Sequence, residues 1–194
     1  MATKRAKVLD TKMFMEILAH VATGPHPLRD QAMVLLSFKA GLRAQEIAGL
    51  RWKHVTDAKG VVRSDFLFVP SSIAKGHHEA TLPMHPHLSI VLGLLRSQHP
   101  DAAFVIYGTK TAEPSPITIA AVRKWFERLF ADRKFEGCSS HSGRRTFITQ
   151  AARKAGVCDC SIRDVQILAR HAHMGTTERY IEPSEHIGRL VAAI

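Results

Sequence analysis

Two arginines, a lysine, two histidines and a tyrosine stand in a set of short segments between residues 41 and 180. The segments are Gly41-Leu42-Arg43-Ala44-Gln45-Glu46, Lys75-Gly76, His141-Ser142-Gly143-Arg144, and the stretch from His171 to Tyr180. These side chains match what breaking a phosphodiester without metal or water requires: a nucleophile, fixed positive charge for the phosphorane oxygens, and an acid for the leaving oxygen. A planar guanidinium grips phosphate oxygens in pairs, and positioned cations usually carry most of such catalysis. A lysine on a flexible hairpin can reach a leaving oxygen and give up its proton. Tyrosine, with an ordinary pKa of about 10, is a poor nucleophile without help. Histidine titrates near neutral pH and can take the tyrosine proton.

Taken singly, each segment has a plainer use. Arg43 can pair with Glu46 one helical turn on, Lys75-Gly76 can be an everyday basic turn, His141 can cap a helix, and Tyr180 can be a packing residue. His77-His78, His85-x-His87 and His171-x-His173 lack further ligands at zinc spacing, and Cys158-Asp159-Cys160 has no second cysteine pair, so no metal site is expected. Conjunction is what favours chemistry: the residue types fall in one order, with the lysine in a predicted hairpin and the others at predicted helix ends.

The elements that must position them follow from periodicity and breakers. A helix is predicted from Asp10 or Thr11 to about Val21, with Phe14, Ile17, Leu18 and Val21 on one face, broken by Gly24-Pro25-His26-Pro27. A second runs from about Leu28 to Ala40 over Ala32, Leu35 and Leu36, with Gly41 placed to stop it. A short third, Ala44 to Leu50, puts Arg43 at a tight junction. From Trp52 to Pro83 the helical period fades, and Val61-Val62, Phe66 to Val69 and Glu79 to Leu82 read as strands. Asp57 to Gly60 and Lys75 to His78 are the turns. Helices return at about Pro86–Ser97, Ile117–Ala131, His141–Ala155 and Ser161–His171. The tail, 183–194, is an expected amphipathic helix with Ile187, Leu190, Val191 and Ile194 on one side. The expected fold class is mainly α with a small antiparallel β-sheet: a basic extension over 1–10, one domain over 11–182, and the tail.

Composition narrows the partner. Hydrophobic residues make up 45% and charged residues 23% of the 194, an ordinary globular balance. Lys plus Arg number 27 against 17 Asp plus Glu, a net charge of +10; such an excess favours a polyanion, because neutralised phosphates release counterions. The 3 cysteines are too few for a disulfide framework and point to a reducing compartment. No apolar run approaches the roughly 18 residues that span a bilayer, and no signal peptide follows the basic start. A cytoplasmic protein with no membrane association is expected.

In their order and spacing the segments resemble the catalytic constellation of the tyrosine recombinases, the phage-integrase family. Gly41 to Trp52 is similar to the family's first-arginine segment, with an acidic residue three positions after Arg43. Lys75-Gly76-x-x-Glu79-x-x-Leu82-Pro83 resembles its lysine hairpin, His141-x-x-Arg144 its H-x-x-R helix start, and His171 to Tyr180, with Thr176-Thr177, the stretch leading to its nucleophile. Family members commonly carry leucine and histidine where this chain has Gly143 and Arg145. Gly143 at a helix start costs about 1 kcal/mol against alanine. The resemblance implies the family's catalytic-domain fold over 11–182, either as a compact member or as part of a longer protein.

By the same resemblance Tyr180 attacks phosphorus to leave a 3′-phosphotyrosyl bond. Arg43 and Arg144 hold the non-bridging oxygens, His171 adds a hydrogen bond, Lys75 protonates the leaving 5′-oxygen, and His141 takes the tyrosine proton. Glu46 orients Arg43 or His141. No cofactor, metal or ATP is implied. The expected partner is double-stranded DNA, met also by Lys53, His54, Arg123, Lys124, Arg128 and Arg145, with a nucleoid location when bound. The tail either docks on a neighbouring protomer, linking four subunits, or folds back on its own core. The implied activity is site-specific recombination of the integrase, excisionase or invertase type. A non-catalytic DNA-binding protein of the same fold and a type IB topoisomerase are the alternatives.

Overall fold

The computed structural model describes residues 6–109 and 115–181. The chain divides into two compact units, Met1–Phe147 and Ile148–Ile194, the division falling within one helix.

In the first unit, helix α1 (Thr11–Ala22) begins where the Asp10 carboxylate accepts the Met13 amide at 2.8 Å, and it buries Ile17, Leu18 and Val21. Helix α2 (Pro27–Phe38) opens on a proline, which suits a helix's first turn because its missing N–H is not needed there. Every residue from Ala32 to Phe38 is buried, since α2 packs against both α1 and helix α4 (Pro86–Gln98). Helix α4 contributes Leu88, Val91, Leu92 and Leu95 to the same core. Within it the buried Ser37 hydroxyl has no hydrogen-bond partner. In the first turn of α2 the Arg29–Asp30 pair is buried, and Arg29 Nε donates to the Tyr107 carbonyl at 2.8 Å. Burial pushes the Asp30 carboxyl above its ordinary range, against the pull of Arg29.

Gly41, at φ +62°, turns the chain out of α2. Helix α3 (Ala44–Gly49) follows at once and packs on α5 (Ile119–Asp132). Between them lie strands β1 (Phe66–Val69) and β2 (Ala80–Pro83), antiparallel with Phe66 opposite Pro83 and Val69 opposite Ala80. Val61-Val62 is not a strand: Val62 makes a single bridge to Thr56. The Asp57 carboxylate holds the intervening turn by accepting the Lys59 and Val61 amides, each at 2.9 Å. A second two-stranded pair, β3 (Tyr107–Gly108) with β4 (Ser115–Pro116), was not expected. Helix α5 starts at Thr118, whose hydroxyl accepts the Ala121 amide at 3.1 Å, and buries Val122, Phe126, Leu129 and Phe130. Helix α6 spans Ser142–Lys154.

In the second unit a 3-10 turn (Ala155–Cys158) leads to α7 (Ile162–Ala169) and the five-residue α8 (Met174–Glu178), which packs on α7. A reciprocal cap starts α7: the Asp164 carboxylate accepts the Ser161 amide at 2.8 Å, and the Ser161 hydroxyl accepts the Asp164 amide at 3.3 Å. Arg170, at φ 55°, ends it. The tail over 183–194 lies outside the described residues. The fold class is the expected one, mainly α with small antiparallel β-pairing. No helix among the described residues is long and apolar enough to cross a membrane.

Candidate active site

The first unit carries Arg43, Lys75, His141 and Arg144; the second carries His171 and Tyr180.

Arg43 precedes α3, and Glu46, one turn in, is wholly buried. One Glu46 carboxylate oxygen accepts the Arg43 amide at 2.8 Å and the other accepts its guanidinium at 3.2 Å. A single acid therefore satisfies an amide at the helix start and holds the guanidinium, which stays partly exposed. Arg144 is 5% exposed and donates an Nη1 hydrogen to the Gly41 carbonyl at 2.6 Å. That bond ties the start of α6 to the turn that presents Arg43.

Two glycines make this approach possible. A Cβ on Gly143 would stand 2.2 Å from Ser37 Oγ and 2.7 Å from Phe38 Cδ2. A Cβ on Gly41 would stand 2.4 Å from Phe147 Cδ1, at a φ that disfavours any side chain. The backbones of α2's exit and α6's first turn are in near contact, and the two arginines ride on them.

His141 follows a serine-rich turn. Its amide donates to Ser139 Oγ at 3.3 Å, and Ser140 Oγ lies 3.4 Å from its Nδ1. Partial desolvation holds the imidazole below its ordinary pKa, and the positive charges of Arg123, Arg43, Arg144 and Lys75 add to the effect. The imidazole is thus neutral at neutral pH and stands among four cations (one from α5, one before α3, one in α6, one in the β1–β2 connection). Such a cluster has the electrostatics of an anion site with a base in it. Lys75 itself is exposed, beside Gly76 at φ 84° and His77 at φ 57°.

In the second unit His171 follows the left-handed residue that ends α7. Its amide donates to the Gln166 carbonyl at 3.1 Å, and its own carbonyl accepts from Gln166 Nε2 at 2.8 Å. Its Nδ1 lies 3.0 Å from Thr177 Oγ1. The Tyr180 ring centroid is 5.6 Å from the imidazole, the planes tilted by 30°.

The remaining sequence candidates fall differently. Arg123, expected as a DNA contact, belongs to the cluster around His141. Lys124 and Arg128 are exposed on α5, and Lys53 is exposed in the 3-10 turn Trp52–His54. His54 is 9% exposed; its Nδ1 accepts the Arg51 amide at 3.1 Å and its ring meets Phe68 edge-on. Arg145 donates to the Ala6 carbonyl at 2.8 Å and so holds the N-terminal segment. Among the described residues no group of three or more His, Cys, Asp or Glu side chains could hold a metal ion. Thr177 was read from sequence only as half of the Thr176-Thr177 pair, and Gln166 was not singled out; its signal lay in a polar residue on the buried face of α7.

Residues 7–186 match the model of the phage integrase family, and the chain belongs to that family. Among curated proteins it is 27% identical over 180 residues to tyrosine recombinase XerC of Actinobacillus succinogenes, covering 90% of this chain and 56% of that protein. It is 27% identical over 157 residues to tyrosine recombinase XerA of Pyrococcus furiosus, covering 79% of this chain and 50% of that protein. The chain thus spans about half the length of the curated relatives it matches. Among solved structures, the Tn1549 transposon integrase in complex with a circular intermediate DNA superposes with a TM-score of 0.76 at 15% identity, over 99% of this chain and 67% of that one. The integrase from mycobacterium phage Brujita gives a TM-score of 0.59 at 26% identity, over 87% and 52%.

Proposed function

We propose that this protein is a site-specific DNA recombinase that cuts and rejoins duplex DNA through a 3′-phosphotyrosyl intermediate. The observation that carries this reading is the gathering of Arg43, Lys75, Arg123 and Arg144 around an imidazole kept neutral. Tyr180 attacks phosphorus; the bond from phosphorus to the tyrosine oxygen forms as the bond to the 5′-oxygen breaks. Arg43 and Arg144 grip the non-bridging oxygens, and His171 donates a further hydrogen bond to them. His141 takes the phenolic proton, and Lys75 gives a proton to the leaving 5′-oxygen. Glu46 keeps Arg43 in place. The reaction exchanges one phosphodiester for another, so attack by a 5′-hydroxyl reverses it with the bond energy conserved, and it needs neither ATP nor a metal. Duplex DNA in the cytoplasm, at the nucleoid, is the substrate, with protomers assembling as a tetramer through the tail over 183–194.

The test is covalent trapping on a nicked duplex drawn from DNA flanking the gene. The native protein gives an SDS-resistant adduct and Tyr180→Phe gives none while still binding DNA. An adduct that persists in Tyr180→Phe removes Tyr180 as the nucleophile.

A further inference from the structure

Thr177 lies three residues before Tyr180 in α8 and is wholly buried. It touches both neighbours that the proposed reaction uses. Its hydroxyl oxygen is 3.0 Å from Nδ1 of His171, and its carbonyl accepts the Tyr180 amide at 2.9 Å. The backbone of His171 is fixed separately, by the pair of hydrogen bonds to Gln166, itself 5% exposed. Gln166 therefore helps to fix the backbone of His171, and Thr177 meets its ring.

A neutral imidazole carries one proton, and the hydrogen bond made at one nitrogen decides the role of the other. A buried hydroxyl proton needs an acceptor, because leaving it without one is costly. Nδ1 of His171 is the acceptor that stands within reach of this one. If the hydroxyl donates to Nδ1, the ring proton resides on Nε2. In the opposite tautomer Nδ1–H donates to the hydroxyl, and Nε2 presents a lone pair, which a phosphate oxygen would repel.

On the reading that His171 donates to the phosphate and Tyr180 attacks it, we propose that Thr177 is a positioning residue. Its hydroxyl donates to Nδ1 of His171 and keeps the ring proton on Nε2, the nitrogen that then donates to a phosphate oxygen. The same residue anchors the Tyr180 backbone through its carbonyl, so acceptor, donor and nucleophile share one short, internally bonded stretch from His171 to Tyr180.

The experiment reads the tautomer directly. Protein labelled with nitrogen-15 at histidine is examined by long-range proton–nitrogen correlation at about pH 8, where a histidine of ordinary pKa is neutral. The His171 signals are assigned by their loss in His171→Gln. The native protein and Thr177→Ser show the proton on Nε2, whereas Thr177→Val, which keeps the shape and loses the hydroxyl, shows it shifted toward Nδ1. Adduct formation on the nicked duplex slows by roughly tenfold in Thr177→Val, the worth of one hydrogen bond, and stays within about twofold in Thr177→Ser. A native ring protonated on Nδ1 overturns the proposal without any variant, and so does a Thr177→Val protein that keeps the native pattern and rate. A native protein that forms no adduct on any duplex would instead count against the recombinase reading, and the tautomer pattern still decides the role of Thr177.

Discussion

Replacing Gly143 by alanine separates local propensity from packing, because the two predict opposite signs. By propensity alone the change stabilises a helix by up to about 1 kcal/mol. In the structure the added Cβ meets Ser37 Oγ at 2.2 Å and Phe38 Cδ2 and Cε2 at 2.7 and 2.8 Å, all inside the 3.4 Å at which ordinary contact begins. Ser37 is wholly buried and Phe38 nearly so, so neither has open space to move into. Crowding of this kind costs about 1–3 kcal/mol, and contact with three atoms on two side chains puts it at the upper end. The net expectation is a loss of about 2 kcal/mol, which lowers Tm by about 4–8 °C for a chain of this size. Gly93, inside α4, is the control: a Cβ there meets nothing within 4 Å, so Gly93→Ala should raise Tm by about 2–4 °C. Thermal unfolding followed by circular dichroism on both variants makes the comparison. If Gly143→Ala raised Tm as Gly93→Ala does, the close approach of α2 and α6 would be wrong, and with it the account of how Arg144 is placed.

Two further outcomes test the cation cluster. Glu46→Ala leaves the Arg43 amide and guanidinium without their acceptor and should cost about 2–3 kcal/mol in urea unfolding; an unchanged midpoint would mean that Glu46 does not hold Arg43. His141 is held below its ordinary 6.5, so the unfolded chain binds its proton first as the pH falls. Its contribution to stability is therefore nil above about pH 6.5 and increasingly unfavourable below it. If His141 is the base, adduct formation persists below pH 6.5, and Arg123→Gln, by removing one cation, moves the acid limb toward higher pH. An acid limb centred above 6.5 in the native protein would contradict that electrostatic picture.

How much of this was legible in the sequence depended on whether the cause was local. The face of α1 follows from apolar spacing, and Gly41 was recognised as a stop, although α2 ends two residues before the expected Ala40 because Lys39 already leaves the helix. Helix α8 escaped notice since five residues show no period. Val61-Val62 looked like a strand, but the Asp57 carboxylate captures the Val61 amide in a turn. Gly143 looked like a helix defect; its reason, Ser37 and Phe38, lies more than a hundred positions away. His54 was expected to face DNA as a basic residue next to Lys53, and its capping of the Arg51 amide depends on a tertiary turn that composition does not reveal. The candidate site's residue types were visible by order and spacing, whereas the proximity of Arg123 to His141 required α5 and the start of α6 to be brought together.

The hydrogen bond from Arg144 to the Gly41 carbonyl has a thermodynamic corollary. A guanidinium that both steadies the turn at 41–43 and meets an anion couples the two equilibria, so that filling the site and tightening the turn draw on one free energy. Whatever anion binds there raises the stability of the whole unit by mass action. On the proposed function that anion is the scissile phosphate, which then serves as a missing strut of this unit's own architecture.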